Sequence, residues 1–149
     1  MSERSEKAVA CFEDFNCAQS VIATCGPELG LDRESALRVA GGFGGGMGRL
    51  GEVCGAVSGA FMVIGLKHGK SCPEDDENET KAKAYALVHE FADRFRARHE
   101  SILCRELLGC DIGTPDGQAQ AREKGVFNDL CPRLVQSAVE ILEQMEVLE

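Results

Sequence analysis

The stretch GGFGGGMGRLGEVCGAVSG, residues 41–59, holds nine glycines and one cysteine, and the fold turns on what so bare a backbone is for. Glycine-rich loops that lead into a helix cradle phosphates, because open backbone amides and the positive helix end attract anions. GMGRLG, Gly46 to Gly51, matches the dinucleotide pattern GxGxxG. That fingerprint needs a strand before it and a βαβ unit around it. The residues before it read as a helix and the loop itself does not end in GKS or GKT, so no nucleotide is expected. Gly51, Gly55 and Gly59 are spaced by four and would share one helix face. With Ala56, Ser58 and Ala60 beside them they offer a smooth surface to another backbone. A helical glycine costs about 1 kcal/mol relative to alanine. Such a face therefore requires a compensating close contact, and Cys54 lies at its edge.

Outward from this stretch, apolar periodicity reads as helix almost throughout. Val9, Phe12, Val21, Ile22 and Cys25 recur at helical spacing from Glu3 to Cys25, where Gly26 and Pro27 stop the run. Asp32 is a good N-cap for a short helix to Ala40. An apolar helix is expected from Glu52 to His68, closed by Gly69. The polar connection CPEDDENET leads into a long helix from Glu77 to Leu108, striped by Val88, Ala92, Phe95, His99 and Ile102. Thr114 and Pro115 open a short helix that Gly125 closes. The last helix buries Leu134, Val135, Ala138, Ile141, Leu142 and Met145. No alternating strand pattern, repeat or linker interrupts the chain. The expected fold is all-α, a single compact bundle of about five to six helices with a glycine-rich loop, forming one domain over residues 1–149.

The chain of 149 residues carries a net charge of −9, which argues against nucleic acid and anionic membranes as partners. The N-terminal MSERSEKAVA has no apolar signal core, and the run VCGAVSGAFMVIGL is shorter than the roughly 20 residues that span a bilayer. A soluble, cytoplasmic protein with no membrane insertion is expected. In that compartment the eight cysteines are thiols, ligands or redox groups rather than structural staples. There is no CxxC pair, which removes the thioredoxin-like site and the zinc-knuckle spacing, and no CxxCH for haem attachment.

Four segments carry a resemblance. NCAQSV at Cys17, GGFGGGMG followed by CGAVSG at Cys54, CRELLGCD at Cys104 and CPRLV at Cys131 occur in this order over most of the chain. Together they resemble the redox-active protein family with four signature cysteines and a CGAxxG motif. The resemblance implies a small helical protein of microbes with anaerobic or metal-linked metabolism, sometimes encoded near transporters or oxidoreductases. It implies no particular reaction. Cys17, Cys54, Cys104 and Cys131 are the residues it marks as redox-active thiols, cofactor-binding residues and metal ligands.

Soft thiolate sets select zinc or iron–sulfur clusters, and paired thiols can instead cycle a disulfide. The sequence reading is a cysteine-based redox or electron-transfer protein, an oxidoreductase or its accessory, with an iron–sulfur cluster placed slightly ahead of a bare dithiol. The alternative is a non-redox module, either a zinc site or a helical docking domain. The partners expected are a redox protein or a second copy meeting the glycine face. Pro132 suits the first helical position, which would make Cys131 the N-cap and its thiolate the most stabilised. Cys11 and Cys25 read as small buried hydrophobes, Cys110 as an additional or alternative thiol, and Cys72 as an exposed loop residue. His99 reads as a core histidine, His89 as a flank residue, His68 as a helix-end residue and Met47 as a gap filler. The acidic run from Glu74 to Glu79 lacks EF-hand spacing and reads as a solvated loop.

Overall fold

The computed structural model describes residues 1–148. Its helices, in chain order, are α1 Glu3–Cys11, α2 Cys17–Cys25, α3 Arg33–Val39, α4 Gly44–Met47, α5 Gly55–His68, α6 Lys81–His99, α7 Cys104–Leu108, α8 Pro115–Lys124, α9 Val126–Asp129 and α10 Cys131–Gln144. A 3-10 turn, Pro27–Leu29, follows α2. The only non-helical pairing among the described residues is an isolated antiparallel bridge between Val53 and Leu103. The all-α class holds, while the expected five to six helices become ten because two long runs are broken and short helical turns are added at Gly44–Met47 and Val126–Asp129.

The first run breaks at Phe12–Asn16. Asn16 accepts from the Gln19 N–H at 2.8 Å while the Gln19 side chain accepts from the Asn16 N–H at 3.0 Å, a reciprocal cap that starts a new helix at Cys17. The long helix stops at His99 because Glu100 takes a left-handed conformation, φ 73°, and α7 begins four residues later. The apolar helix begins at Gly55 rather than Glu52, so Gly51 lies in the preceding loop with φ 72° and is not part of the helical glycine face. Elsewhere the caps fall where expected. Asp32 accepts from the Ser35 N–H, Thr114 accepts from the Gly117 N–H, and Gly125 closes α8 at φ 72°.

α5 is the central helix, buried on every side from Gly55 to Ala60, and α2, α6 and α10 pack around it, with α1 across α2 and α10. Phe91 and Phe95 of α6 stack at 6.0 Å, and with Val21, Ile22, Val57, Ile64, Ile141 and Leu142 they fill the main core. A second, smaller cluster holds Cys104, Leu108, Cys110, Ile112, Ala121 and Cys131. The site lies between the two.

The glycine stretch has an unusual conformation. Gly45, Gly46, Met47, Gly48 and Arg49 all have φ between 60° and 70°, which amounts to a short left-handed turn. L-residues cost roughly 1–2 kcal/mol each in that conformation, glycine much less. Gly51 and Glu52 donate back to the carbonyls of Gly45 and Gly46 at 3.2 and 3.0 Å, closing the loop on itself. No helix among the described residues is long and apolar enough to cross a membrane.

Candidate functional site

Each of the four marked cysteines stands at the start of a helix. Cys17 opens α2, Cys54 caps α5, Cys104 opens α7 and Cys131 opens α10. Local interactions fix these positions. The Asn16 cap sets Cys17, and its Nδ2 also donates to the Gly41 carbonyl at 3.2 Å, tying α2 to the glycine stretch. Cys54 and Cys104 are held together by the short bridge. The Cys54 N–H donates to the Ile102 carbonyl and the Cys104 N–H to the Glu52 carbonyl, both at 2.7 Å. Arg105 braces this pairing through the Gly51 carbonyl at 3.2 Å and Glu52 at 3.3 Å.

All four line one cavity of about 630 Å³, with Asn16, Gly45 and Gly55, the rings of Phe12, Phe15 and Phe127, and the two cations Arg49 and Arg122. Cys17 is half-buried, whereas Cys54, Cys104 and Cys131 are buried. At two of these starts the backbone N–H groups turn to the thiols, those of Cys17 and Ala18 to Cys17 and those of Ala56 and Val57 to Cys54. Among the described residues no three side chains of His, Cys, Asp and Glu gather closely enough to hold one metal ion.

The bare backbone is what lets these parts meet. A methyl group on Gly55 would lie 2.7 Å from Cys17 Sγ and 3.1 Å from the Phe43 carbonyl oxygen; one on Gly59 would lie 2.8 Å from the Ala18 carbonyl oxygen. At Gly46 it would meet Cys104 Cβ at 2.7 Å, and at Gly44 Asn16 Cβ at 2.5 Å. Gly55 and Gly46 thus face Cys17 and Cys104, while Gly59 meets the backbone of α2 and Gly44 meets Asn16.

Acidity separates the thiols. A hydrogen bond from Cys54 brings Cys17 down to about 6 from the ordinary 9.0, against the opposing effect of burial, with backbone N–H groups of Gly45, Cys17 and Ala18 adding to it. The same hydrogen bond, together with burial, pushes Cys54 well up. Burial raises Cys104 to about 12, and the nearby Cys17 adds to this. Cys131 is also raised to about 12, first by burial and then by Cys17 and Cys104. The expectation that Cys131 is the most stabilised thiolate is therefore corrected. Leu130, already helical from α9, is the N-cap, which moves Pro132 to the second position and Cys131 into the helix, where burial outweighs the helix end.

Cys110 is buried beside Cys104 and Cys131 in the smaller cluster. Cys25 is fully buried and burial raises it to about 12. Cys11 is half-buried against the main core. Cys72 is exposed and donates to Glu74 at 2.6 Å. His99 Nε2 meets Ser137 Oγ at 2.8 Å with its ring 4.8 Å from Phe95, a satisfied core histidine. Asn16, Arg49 and Arg122 are the cavity residues that the sequence reading missed. For Asn16 the signal was present in NCAQ, a cap followed three residues later by glutamine. Nothing local marks either arginine.

Such a molecule is a helical four-cysteine protein with its thiols at helix starts around a shared cavity. The family model described as "Putative redox-active protein (C_GCAxxG_C_C)" matches residues 15–145, and the chain belongs to that family. No curated protein and no solved structure shows a significant match.

Proposed function

We propose that the chain is a redox or electron-transfer protein whose centre is an iron–sulfur cluster held by Cys17, Cys54, Cys104 and Cys131. One observation carries this reading: the four thiols stand at four helix starts on the wall of one cavity. The donor set fits the group. A cluster divides its thiolate ligands among several irons, so the four need not converge on a point. A single zinc ion needs four donors on one tetrahedron at about 2.3 Å, a closer gathering than a cluster asks of its ligands. The cluster, when bound, supplies one-electron exchange. The chain's part is to oppose its negative charge with the Gly45, Cys17 and Ala18 amides, and to keep water from Cys54, Cys104 and Cys131 by burial.

The hydrogen bond between Cys17 and Cys54, with its opposite effects on their acidities, favours a second reading. Two such thiols can close a disulfide, releasing two electrons and two protons to an acceptor.

Protein purified without oxygen distinguishes the two by iron, acid-labile sulfide, visible absorption and thiol count. The expected result is iron and sulfide in equal amounts with a band that bleaches on reduction. Cys17→Ser, Cys54→Ser, Cys104→Ser and Cys131→Ser should each lose most of it while keeping their helical signal, and Cys25→Ser and Cys72→Ser should keep it. Iron-free protein that gains two thiols on reduction, except in Cys17→Ser and Cys54→Ser, would replace the cluster by the disulfide. A colourless protein with a constant thiol count would end both readings.

A further inference from the structure

The chain has 25 acidic and 16 basic side chains, yet the charged residues lining the cavity are Arg49 and Arg122, with no Asp or Glu among them. Among the described residues neither arginine has an ion-pair partner. Arg49 is also held in the left-handed region at φ 70°, where a glycine would sit without strain. What the position gains for that cost is a guanidinium at the cavity. Its neighbour makes room for it, since a methyl group on Gly45 would meet Arg49 Cγ at 2.9 Å. The arginine stem thus lies over the residue whose N–H is directed at Cys17.

We infer that this cavity binds a small anion, a molecule bearing a carboxylate or an oxyanion group, against Arg49 and Arg122 beside Cys17. Guanidinium forks match both groups in geometry and charge. The volume of about 630 Å³ suits a small molecule, and the net charge of −9 disfavours a large polyanion. The inference names the ligand class of the redox centre and rests on that reading for the anion's role, though not for its binding.

The test is titration calorimetry of the purified protein, its iron and thiol content recorded, with malonate, sulfate and the neutral malonamide. Saturable binding of malonate or sulfate but not malonamide is expected, and the preferred anion tells a carboxylate site from an oxyanion site. Arg49→Gln and Arg122→Gln should each weaken binding about tenfold or more, the loss of one charge-assisted contact, with iron and thiol content unchanged. Arg94→Gln, on α6 and paired with Glu90 at 2.9 Å, should bind as the parent does. The inference is overturned if neither anion binds, if the double variant binds as tightly as the parent, or if malonamide binds equally well. It is also overturned if the arginine variants lose iron, because the guanidinium groups then serve the centre itself. The redox reading stands or falls on the iron and thiol measurements, whatever the calorimetry gives.

Discussion

Cys17 and Cys54 share one hydrogen bond, and it moves their acidities in opposite directions. In reduced, metal-free protein a single thiolate should titrate near pH 6 by its ultraviolet absorbance, where the lowered value of Cys17 lies. Cys17→Ser should abolish that step. Cys54→Ala should move it up, because the donor is lost while burial remains; a step still at pH 6 would show that Cys54 is not the cause. The linkage has a definite sign. A thiol lowered from 9.0 to about 6 contributes its full stability above pH 9, loses it as the pH falls, and contributes nothing below about 6. The four marked cysteines were legible in the sequence as a set. Their ranking was not, since acidity here depends on an S–H and a glycine N–H brought from remote segments.

At the scale of elements the close packing of α2 on α5 can be tested within one helix. Gly55→Ala should destabilise the protein by roughly 1–3 kcal/mol, as overpacking does, because the new methyl group meets Cys17 Sγ at 2.7 Å and two backbone atoms at 3.1 Å. Gly65→Ala, ten residues along the same helix, meets nothing within 4 Å and should stabilise by up to about 1 kcal/mol through helix propensity. Thermal melting of the two variants, with the iron or thiol measurement alongside, checks both. A Gly55→Ala protein more stable than the parent would refute the close approach. Helical periodicity revealed most of the elements but not their breaks. The apolar rhythm from Val9 to Cys25 continues across Phe12–Asn16, and only the reciprocal Asn16–Gln19 cap marks the interruption. Glu100 gives even less warning, because a glutamate at φ 73° runs against its own propensity, its N–H closing the helix on the Arg96 carbonyl. The left-handed run from Gly45 to Arg49 was equally hidden. Glycine content announces freedom without saying which conformation will use it.

Over the whole molecule, charge is sorted by place, with Arg49 and Arg122 exposed at the cavity. Carboxylates lie on the outside, giving the net −9, while the cavity gathers four helix starts and two arginines. An approaching anion therefore meets repulsion at long range and attraction at short range, and dissolved salt screens both. Association and dissociation should respond separately. Stopped-flow measurement with the anion that binds should show the association rate rising with ionic strength as the outer repulsion is screened, and the dissociation rate rising too as the arginine contacts weaken. An association rate that falls with salt would mean that the mouth of the cavity, rather than the acidic shell, governs the encounter. Exchange would then be quicker in both directions in a salty medium, so this sorting makes the protein a faster and less retentive exchanger as ionic strength increases.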